Sequence, residues 1–230
     1  MQVPDYGKLK GDMHDDFSRS ANPVRSWFHR SRFRLVRKLV EKYSEIDYPN
    51  FKVREDNYPR INAREVVVDL ACGSASWNEN GMKITGIDIN LSGLCAGLEK
   101  KRLTHAVIGS MDRLPMKEGC AGMVIAAEIM EHLPDFKGFL ASIHSMLRKG
   151  GRLILTVPYD TNLSLWKPFF KVHCFFQGYV MGKEYFKKEA GHINRFSPQN
   201  VRKHLEGEGF RIIEQFSNRR FTIFAVAEKA

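Results

Sequence analysis

The chain has 230 residues, of which 43% are hydrophobic and 27% charged, and it carries a formal net charge of +10. This length and composition are typical of one globular domain with an ordinary hydrophobic core. They argue against a membrane-spanning protein, because the longest apolar runs, such as residues 123–127, are far shorter than the ~20 residues that cross a bilayer.

The N-terminus and the cysteines indicate the compartment. The first residues lack a basic stretch followed by an apolar one, so we expect no signal peptide. Cys72, Cys95, Cys120 and Cys174 are scattered, without a Cys-x-x-Cys pair. This spacing argues against a zinc site or a disulfide framework, so we predict no metal and a cytoplasmic location.

The N-terminal part combines a polar arm with a basic helix. Residues 1–20 have no period, and we expect a mobile arm. Asn22-Pro23 supplies an N-cap and a first-turn proline, which predicts a helix over residues 22–43. Its inward residues should be Val24, Phe28, Leu35, Val36, Leu39, Val40 and Tyr43. The many Arg and Lys residues between them predict either a solvated face or contact with nucleic acid, an anionic membrane or an acidic substrate.

Residues 44–63 show no hydrophobic period, which predicts a loop that covers the cleft or is partly disordered. Strands and helices then alternate through the rest of the chain. Strands are predicted at 65–70, 83–88, 105–109, 122–127, 152–157, 210–217 and 220–228. Helices are predicted around 75–80, from Asn90, from Asp135 to Gly150 and from Ser197-Pro198. The last two strands are too closely connected for a parallel crossover. We therefore predict an α/β doubly wound, mostly parallel seven-stranded sheet with a C-terminal antiparallel hairpin and helices on both faces.

Acidic residues end two successive predicted strands. A β-branched run ends at Asp69 and enters the small-residue loop around Gly73, which lets backbone N–H groups approach a ligand closely. Asp88 ends the next strand, where a carboxylate accepts hydrogen bonds from the hydroxyls of a ribose. This pattern predicts an adenosine-containing cofactor. Ala75 and Asn78 replace the further glycines of a dinucleotide fingerprint, and the chain has no P-loop motif.

Several segments, in chain order over residues 64–160, resemble the Rossmann-like (class I) S-adenosylmethionine-dependent methyltransferases, in the branch that includes quinone-biosynthesis enzymes. Asp69-Leu-Ala71-Cys-Gly73-Ser-Ala75 resembles the family's Asp-x-Gly-x-Gly-x-Gly, with alanine at two glycine positions. Asp88 matches its ribose-binding acid. The matching loops further on are Gly109-Ser-Met111-Asp112-Arg-Leu-Pro115, Ala127-Glu128-Ile-Met-Glu131-His132-Leu133 and Leu147-Arg-Lys-Gly150-Gly151-Arg-Leu.

The resemblance implies a single methyltransferase domain over residues 21–230 that binds S-adenosyl-L-methionine. The implied cofactor residues are Asp69, Ala71, Cys72, Gly73, Asp88, Ile89, Met111, Asp112 and Glu128. Asp112 would accept the adenine amino group while Met111 packs on the ring. Glu128 either approaches the methionine end or is merely a polar strand-end residue. His132 is either a catalytic base or an anchor of the turn that follows it.

Residues 161–190 carry many aromatic residues interleaved with lysines, at the position where the family commonly inserts a substrate lid. We expect a largely helical, mobile cover with aromatics towards the pocket and lysines towards solvent or acidic lipid headgroups. The predicted acceptor contacts are Tyr159, Phe175, Phe176, His192 and Arg195, although Arg195 alternatively pairs with a surface acid. The acceptor is expected to be a small molecule or lipid-like. An RNA-directed methyltransferase and a non-catalytic cofactor-binding partner are the alternatives.

Overall fold

The computed structural model describes residues 13–44, 66–162, 164–182, 184–187 and 192–230. Its helices are α1 (Met13–Ser18), α2 (Pro23–Tyr43), α3 (Leu91–Glu99), α4 (Phe136–Met146), α5 (Trp166–Phe175), α6 (Glu184–Lys187) and α7 (Pro198–Gly207), with a 3-10 turn at Met130–His132 and a π-helical turn at Phe176–Val180. Its strands are β1 (Val67–Leu70), β2 (Thr85–Asp88), β3 (His105–Ile108), β4 (Ala121–Ala127), β5 (Leu147–Pro158), β6 (Phe210–Asn218) and β7 (Thr222–Lys229).

The seven strands form one sheet in the order β3-β2-β1-β4-β5-β7-β6. Strands β1 to β5 pair in parallel, whereas β7 runs antiparallel to both β5 and β6. The predicted α/β doubly wound sheet with a C-terminal antiparallel hairpin is confirmed. The chain moves outwards from β1 to β3 and then returns to β4 on the other side of β1. A crevice for ligands forms at such a reversal, at the carboxyl ends of the strands.

Helices cover both faces of the sheet because neighbouring strand residues point to opposite sides. Val67 packs with α2 and α3, while Val68, the next residue, packs with α4 and α7. All four residues of β1 are buried. Such a strand, buried on both faces, reads as a continuous apolar run in the sequence.

The predicted helix around residues 75–80 is wrong. Residues 71–80 form consecutive turns, and Ala71, Gly73 and Ala75 have φ of 52°, 52° and 47°. Left-handed residues at every second position cannot continue a right-handed helix. The helix from Asp135 also ends earlier than predicted, at Met146. Leu147 pairs with Ala121 and so begins β5 instead of the last helical turn.

The N-terminal arm is helical over Met13–Ser18, so the prediction of an aperiodic mobile arm is wrong for those residues. Asp15 of α1 holds this helix in place, because its carboxylate lies 2.7 Å from Lys100 Nζ and 2.8 Å from Arg102 Nη1. Residues 1–12 of the predicted arm and residues 45–65 of the predicted covering loop lie outside the described residues.

Helix α2 begins at Pro23 as predicted, and Asn22 accepts hydrogen bonds from the N–H groups of Val24 and Arg25. Val24 itself is 42% exposed and does not join the core, contrary to prediction. Among the described residues, no helix combines the length and the apolar character of a membrane-spanning segment. The cytoplasmic location stays a prediction.

Candidate functional site

A cavity of about 1000 Å³ lies at the carboxyl ends of β1, β2 and β4. Residues that follow these three strands form its floor, and α1, α2 and α5 supply its walls. This volume lies at the upper end of the ~300–1,000 Å³ typical of ligand pockets. Its wall residues include Phe17, Phe28, Arg32, Phe33, Phe169, Phe170 and His173. The cavity therefore joins the predicted cofactor loops to a wall rich in aromatic residues.

The loop after β1 takes up a left-handed conformation at the three positions where the resemblance expects glycine, Ala71, Gly73 and Ala75. An L-residue pays roughly 1–2 kcal/mol for this conformation, so the two alanines carry strain. Gly93 of α3 lies so close that a Cβ there would be 3.0 Å from the carbonyl carbon of Gly73. The helix therefore packs directly against the loop and helps to fix its shape.

Asp88 connects this loop to the end of β2. Its Oδ2 accepts a hydrogen bond from the Gly73 N–H at 2.7 Å, and its Oδ1 accepts one from the Asn90 N–H at 2.8 Å. Burial raises the pKa of Asp88, whereas these backbone N–H groups favour its charged form. The backbone N–H of Ile89 is a third donor, so three of the roughly four acceptor positions of the carboxylate are used and one remains for a ligand hydroxyl.

Asp69 is buried beneath the loop, with only 2% of its surface exposed. Its Oδ2 accepts a hydrogen bond from Trp77 Nε1 at 2.8 Å. Burial raises the pKa of Asp69 to about 7; the Trp77 hydrogen bond opposes this rise, and the charge of Asp88 adds to it. Cys72 lines the same cavity, and burial also raises the pKa of its thiol. The role of Trp77 was missed because the sequence assigned it to a helix.

The side of the cavity beside β2 and β3 brings together the residues predicted to hold adenine. Ile89, Met111 and Asp112 all line it. Ile89 is 44% exposed and therefore offers its apolar surface to the cavity, while Met111 is buried. Ser110 Oγ donates to Asp112 Oδ2 at 3.2 Å, which orients the carboxylate. An apolar side chain beside an oriented acceptor fits a heteroaromatic ring with an amino group.

Glu128 ends β4 in a left-handed conformation, with φ of 56°. Its Oε1 accepts a hydrogen bond from Thr156 Oγ1 at 2.9 Å, and its Oε2 lies 3.3 Å from Arg32 Nη1. Burial raises the pKa of Glu128, and the charge of Arg32 opposes this rise. Backbone strain of this kind concentrates at functional sites. Arg32 also shows that part of the basic face of α2 turns inwards and does not face solvent.

Glu131, His132 and His192 form a further cluster in the cavity, with their potential ligand atoms within 4.8 Å of one another. The two imidazole rings meet edge to face at 4.8 Å, and Phe170 stacks on His192 at 4.9 Å. Burial lowers the pKa of His192 to about 3, with smaller contributions from His132 and Arg195. Burial raises the pKa of Glu131 well above its usual range. The resemblance placed Glu131 in a motif but did not indicate that it is buried.

Three predicted acceptor contacts do not line the cavity. Tyr159 is partly buried and packs against the hydrophobic core. Arg195 lies 3.8 Å from Asp160, which is the surface pairing considered as its alternative. Phe175 is 63% exposed and contacts Tyr179, because it lies on the opposite side of α5 from the cavity-lining Phe169, Phe170 and His173. His192 and Phe176 do line the cavity.

The comparisons with known proteins agree with this geometry. The methyltransferase domain family matches residues 28–215. The demethylmenaquinone methyltransferase of Alkalihalophilus pseudofirmus is 26% identical over 131 residues, which cover 48% of this chain and 55% of that protein. The matches cover between 38% and 55% of the length of these curated relatives, so the chain spans about half of each.

Two solved structures share the fold. A Haloferax volcanii methyltransferase in complex with the Trm112 activator has a TM-score of 0.62 and 16% identity, covering 94% of this chain and 96% of that one. A SAM-dependent methyltransferase from Aquifex aeolicus has a TM-score of 0.61 and 12% identity, covering 97% of this chain and 100% of that one. The family match spans most of the chain and the fold agrees over nearly all of it. The chain therefore belongs to the methyltransferase domain family, within the class I S-adenosylmethionine-dependent methyltransferases, and S-adenosylmethionine is the cofactor of that class.

Proposed function

We propose that this protein transfers the methyl group of S-adenosylmethionine to an oxygen atom of a hydrophobic or lipid-like small molecule. One observation carries the proposal: a single cavity joins the strand-end acids Asp69, Asp88 and Asp112 to an aromatic wall. The first part suits the polar cofactor and the second an apolar acceptor. Both reactants then lie in one space, and proximity alone is worth about 7–11 kcal/mol of a displacement barrier.

The residues fit the cofactor from one end to the other. Asp88 would accept a hydrogen bond from a ribose hydroxyl, and Met111 and Asp112 would hold the adenine. The loop over Ala71, Cys72 and Gly73 would pass beneath the cofactor, with Asp69 below it. Glu128 would face the methionine end, beside Arg32. Bound S-adenosylmethionine supplies a methyl group on a positively charged sulfur, and the acidic floor of the cavity is electrostatically suited to that charge.

The acceptor side is apolar and aromatic. Phe28 and Phe33 of α2 face Phe169, Phe170 and Phe176 in the segment after β5. Stacking and apolar burial on such walls favour a flat or chain-like hydrophobic molecule. The names of two relatives, a demethylmenaquinone methyltransferase and a ubiquinone biosynthesis O-methyltransferase, point to the same class of acceptor. We place the reacting hydroxyl at the Glu131–His132–His192 cluster, whose polar side chains line the same cavity.

A peripheral contact with an anionic membrane would deliver such an acceptor. Away from the cavity, α5 and the π-helical turn with the residue after it expose Phe175, Tyr179, Val180 and Met181, each more than half exposed. Lys171 is exposed in the same helix, and the whole chain carries a net charge of +10. Apolar side chains flanked by cations are the combination that binds an acidic bilayer surface.

The test is methyl transfer from labelled S-adenosylmethionine into a cell lipid extract, with total RNA as a parallel substrate. We expect the label in the methyl ether of an organic-soluble hydroxylated acceptor. Phe176→Ser should weaken transfer while leaving S-adenosylhomocysteine affinity close to wild type, because Phe176 lines the cavity away from the strand-end acids. Leu165→Ser is the control, because Leu165 is exposed and does not line the cavity. Label found only in RNA would overturn the proposed acceptor.

A further inference from the structure

The Glu131–His132–His192 cluster has the composition of a cation site. It offers one carboxylate and two imidazoles, with donor atoms within 4.8 Å of one another. Donors around a bound zinc ion lie about 2.0–2.2 Å from the metal, so modest side-chain rotation would bring these three into range. The cluster lines the same cavity as Asp69 and Glu128 and is open to it.

One oxygen of the Glu131 carboxylate is left without a hydrogen-bond partner within the described part of the chain. The side chain of Glu131 is only 2% exposed, and its Oε2 is the buried oxygen with no hydrogen-bond partner among the described residues. The other oxygen lies 3.9 Å from His132 Nε2, which is beyond hydrogen-bond distance. A buried carboxyl oxygen left unpaired costs about 1–3 kcal/mol. A bound cation would remove this cost.

Backbone contacts fix the cluster in place. The carbonyl oxygen of Glu131 accepts hydrogen bonds from the N–H groups of Ile193 and Asn194, at 2.8 and 3.1 Å. The Asn194 side chain donates to the carbonyl oxygens of Met130 and Leu133, at 2.9 and 2.6 Å. These contacts join the turn that carries Glu131 to the segment that carries His192, 61 residues later in the chain. The site is therefore held together before any ligand arrives.

We propose that Glu131, His132 and His192 bind a divalent first-row transition metal ion, of which Zn²⁺ is the best match. Two imidazoles and one glutamate are the ligands of several catalytic zinc sites, in which the metal keeps an open position. The prediction that the chain binds no metal rested on cysteine spacing, and this ligand set contains no cysteine. His132 then serves as a ligand, in place of the two roles considered from sequence, a catalytic base or an anchor of the turn that follows.

The role of the ion rests on the proposed function. An acceptor hydroxyl that occupies the open position becomes more acidic and loses its proton to solvent. A lone pair on its oxygen forms the O–CH₃ bond while the S–CH₃ bond of the cofactor breaks. The electron pair of that bond stays on sulfur, which becomes a neutral thioether. The ion accordingly selects oxygen acceptors and activates them.

Metal content tests the site without relying on activity. The full chain is stripped with EDTA, dialysed against Zn²⁺, passed over a desalting column and analysed by plasma mass spectrometry. We expect about one ion per chain, as for a single three-ligand site. Glu131→Gln and His192→Ala should each lower zinc affinity by more than the roughly 10–100-fold typical of losing a supporting contact. His105→Ala is the matched control, because His105 is exposed on β3 away from the cavity.

The outcomes separate the metal site from the proposed function. No bound zinc in the wild type, or equal zinc in Glu131→Gln, His192→Ala and the wild type, would overturn the metal site. Circular dichroism checks folding, and if Glu131→Gln is unfolded, His192→Ala and His132→Ala decide. S-adenosylhomocysteine binding should survive EDTA treatment while methyl transfer is lost. Bound zinc without any methyl transfer would instead contradict the proposed function.

Discussion

Trp77 donates a hydrogen bond to Asp69, and replacing Trp77 should lower the stability of the fold in two ways, through the lost hydrogen bond and through lost packing. Only the first of these losses depends on pH. Trp77→Phe removes the indole N–H that donates to Asp69 at 2.8 Å. It also removes part of a buried ring, and that packing loss does not depend on pH. The hydrogen bond does depend on pH, because a bond to a charged group contributes about 1.5–3 kcal/mol and a bond to a neutral one about 0.5–1.5 kcal/mol.

The pKa of Asp69 sets the pH range. Burial raises it from 3.8 to about 7 in the folded protein. The folded state therefore holds a proton that the unfolded chain has released, and stability falls as pH rises from 3.8 to about 7. The full displacement corresponds to a loss of about 4 kcal/mol. Trp77→Phe withdraws a donor from the carboxylate, so its pKa rises further and the decline continues above pH 7.

Thermal unfolding of both proteins, followed by circular dichroism at pH 6 and pH 9, measures the effect. The deficit of Trp77→Phe should be constant at pH 6 and below and should grow by about 1–2 kcal/mol at pH 9. For a chain of this size, that corresponds to roughly 2–8 °C of additional loss in Tm. Trp27→Phe is the control, because Trp27 packs on the aromatic ring of Phe221 and beneath the guanidinium of Arg219. An equal deficit at both pH values would refute the account of Asp69.

Three further predictions follow from named contacts. Asp88→Asn should weaken S-adenosylhomocysteine binding about 10- to 100-fold, because a charge-assisted hydrogen bond to ribose is lost, and unchanged affinity in calorimetry would contradict that role. Asp15→Asn should lower Tm at pH 7, and the deficit should vanish below about pH 2. Burial would raise the pKa of Asp15, but hydrogen bonds from Lys100 and other side chains lower it from 3.8 to about 2. The stabilisation by Asp15 is therefore present above pH 3.8 and is lost as the pH falls through about 2. Phe175→Ser with Tyr179→Ser should reduce sedimentation with phosphatidylglycerol vesicles but not with neutral ones, and equal sedimentation would exclude the membrane contact.

Helix starts and strand ends followed from the sequence because their signals are local. Asn22, Asn90, Asp135 and Ser197 each accept a hydrogen bond from a backbone N–H two or three residues later, as their residue types predict. The parallel sheet followed from apolar runs that end at acids. These signals need only a few neighbouring residues, so distant parts of the chain do not alter them.

The loop after β1 was predicted less well because its conformation contradicts its composition. The alternation of strands and helices along the chain led to the predicted helix around residues 75–80. Ala71 and Ala75 nevertheless adopt the left-handed conformation that the family's glycines adopt readily. Packing against Gly93 and the hydrogen bond between Gly73 and Asp88 maintain it. Such contacts between β1, β2 and α3 are tertiary and have no signature in local propensity.

The walls of the cavity could not be predicted because they join residues far apart in sequence. Arg32 reaches Glu128 from α2, although its position in a basic helix equally suited a solvated face. Glu131 meets His192 through tertiary contacts, in which Ile193 and Asn194 bond to the turn that carries Glu131. The outward position of Phe175 depends on which side of α5 faces the cavity. In each case the sequence identified a suitable residue type, and the packing of separate elements determined its partner.

The most direct test of the account is calorimetric titration of the protein with S-adenosylhomocysteine and, separately, with NAD. The acids at the ends of β1 and β2 and the Asp112 loop fit one adenosine, whereas the loop lacks the glycines that hold a second phosphate. The account predicts saturable binding of S-adenosylhomocysteine at one site per chain and no binding of NAD. Binding of NAD, or indifference to both ligands, would contradict it.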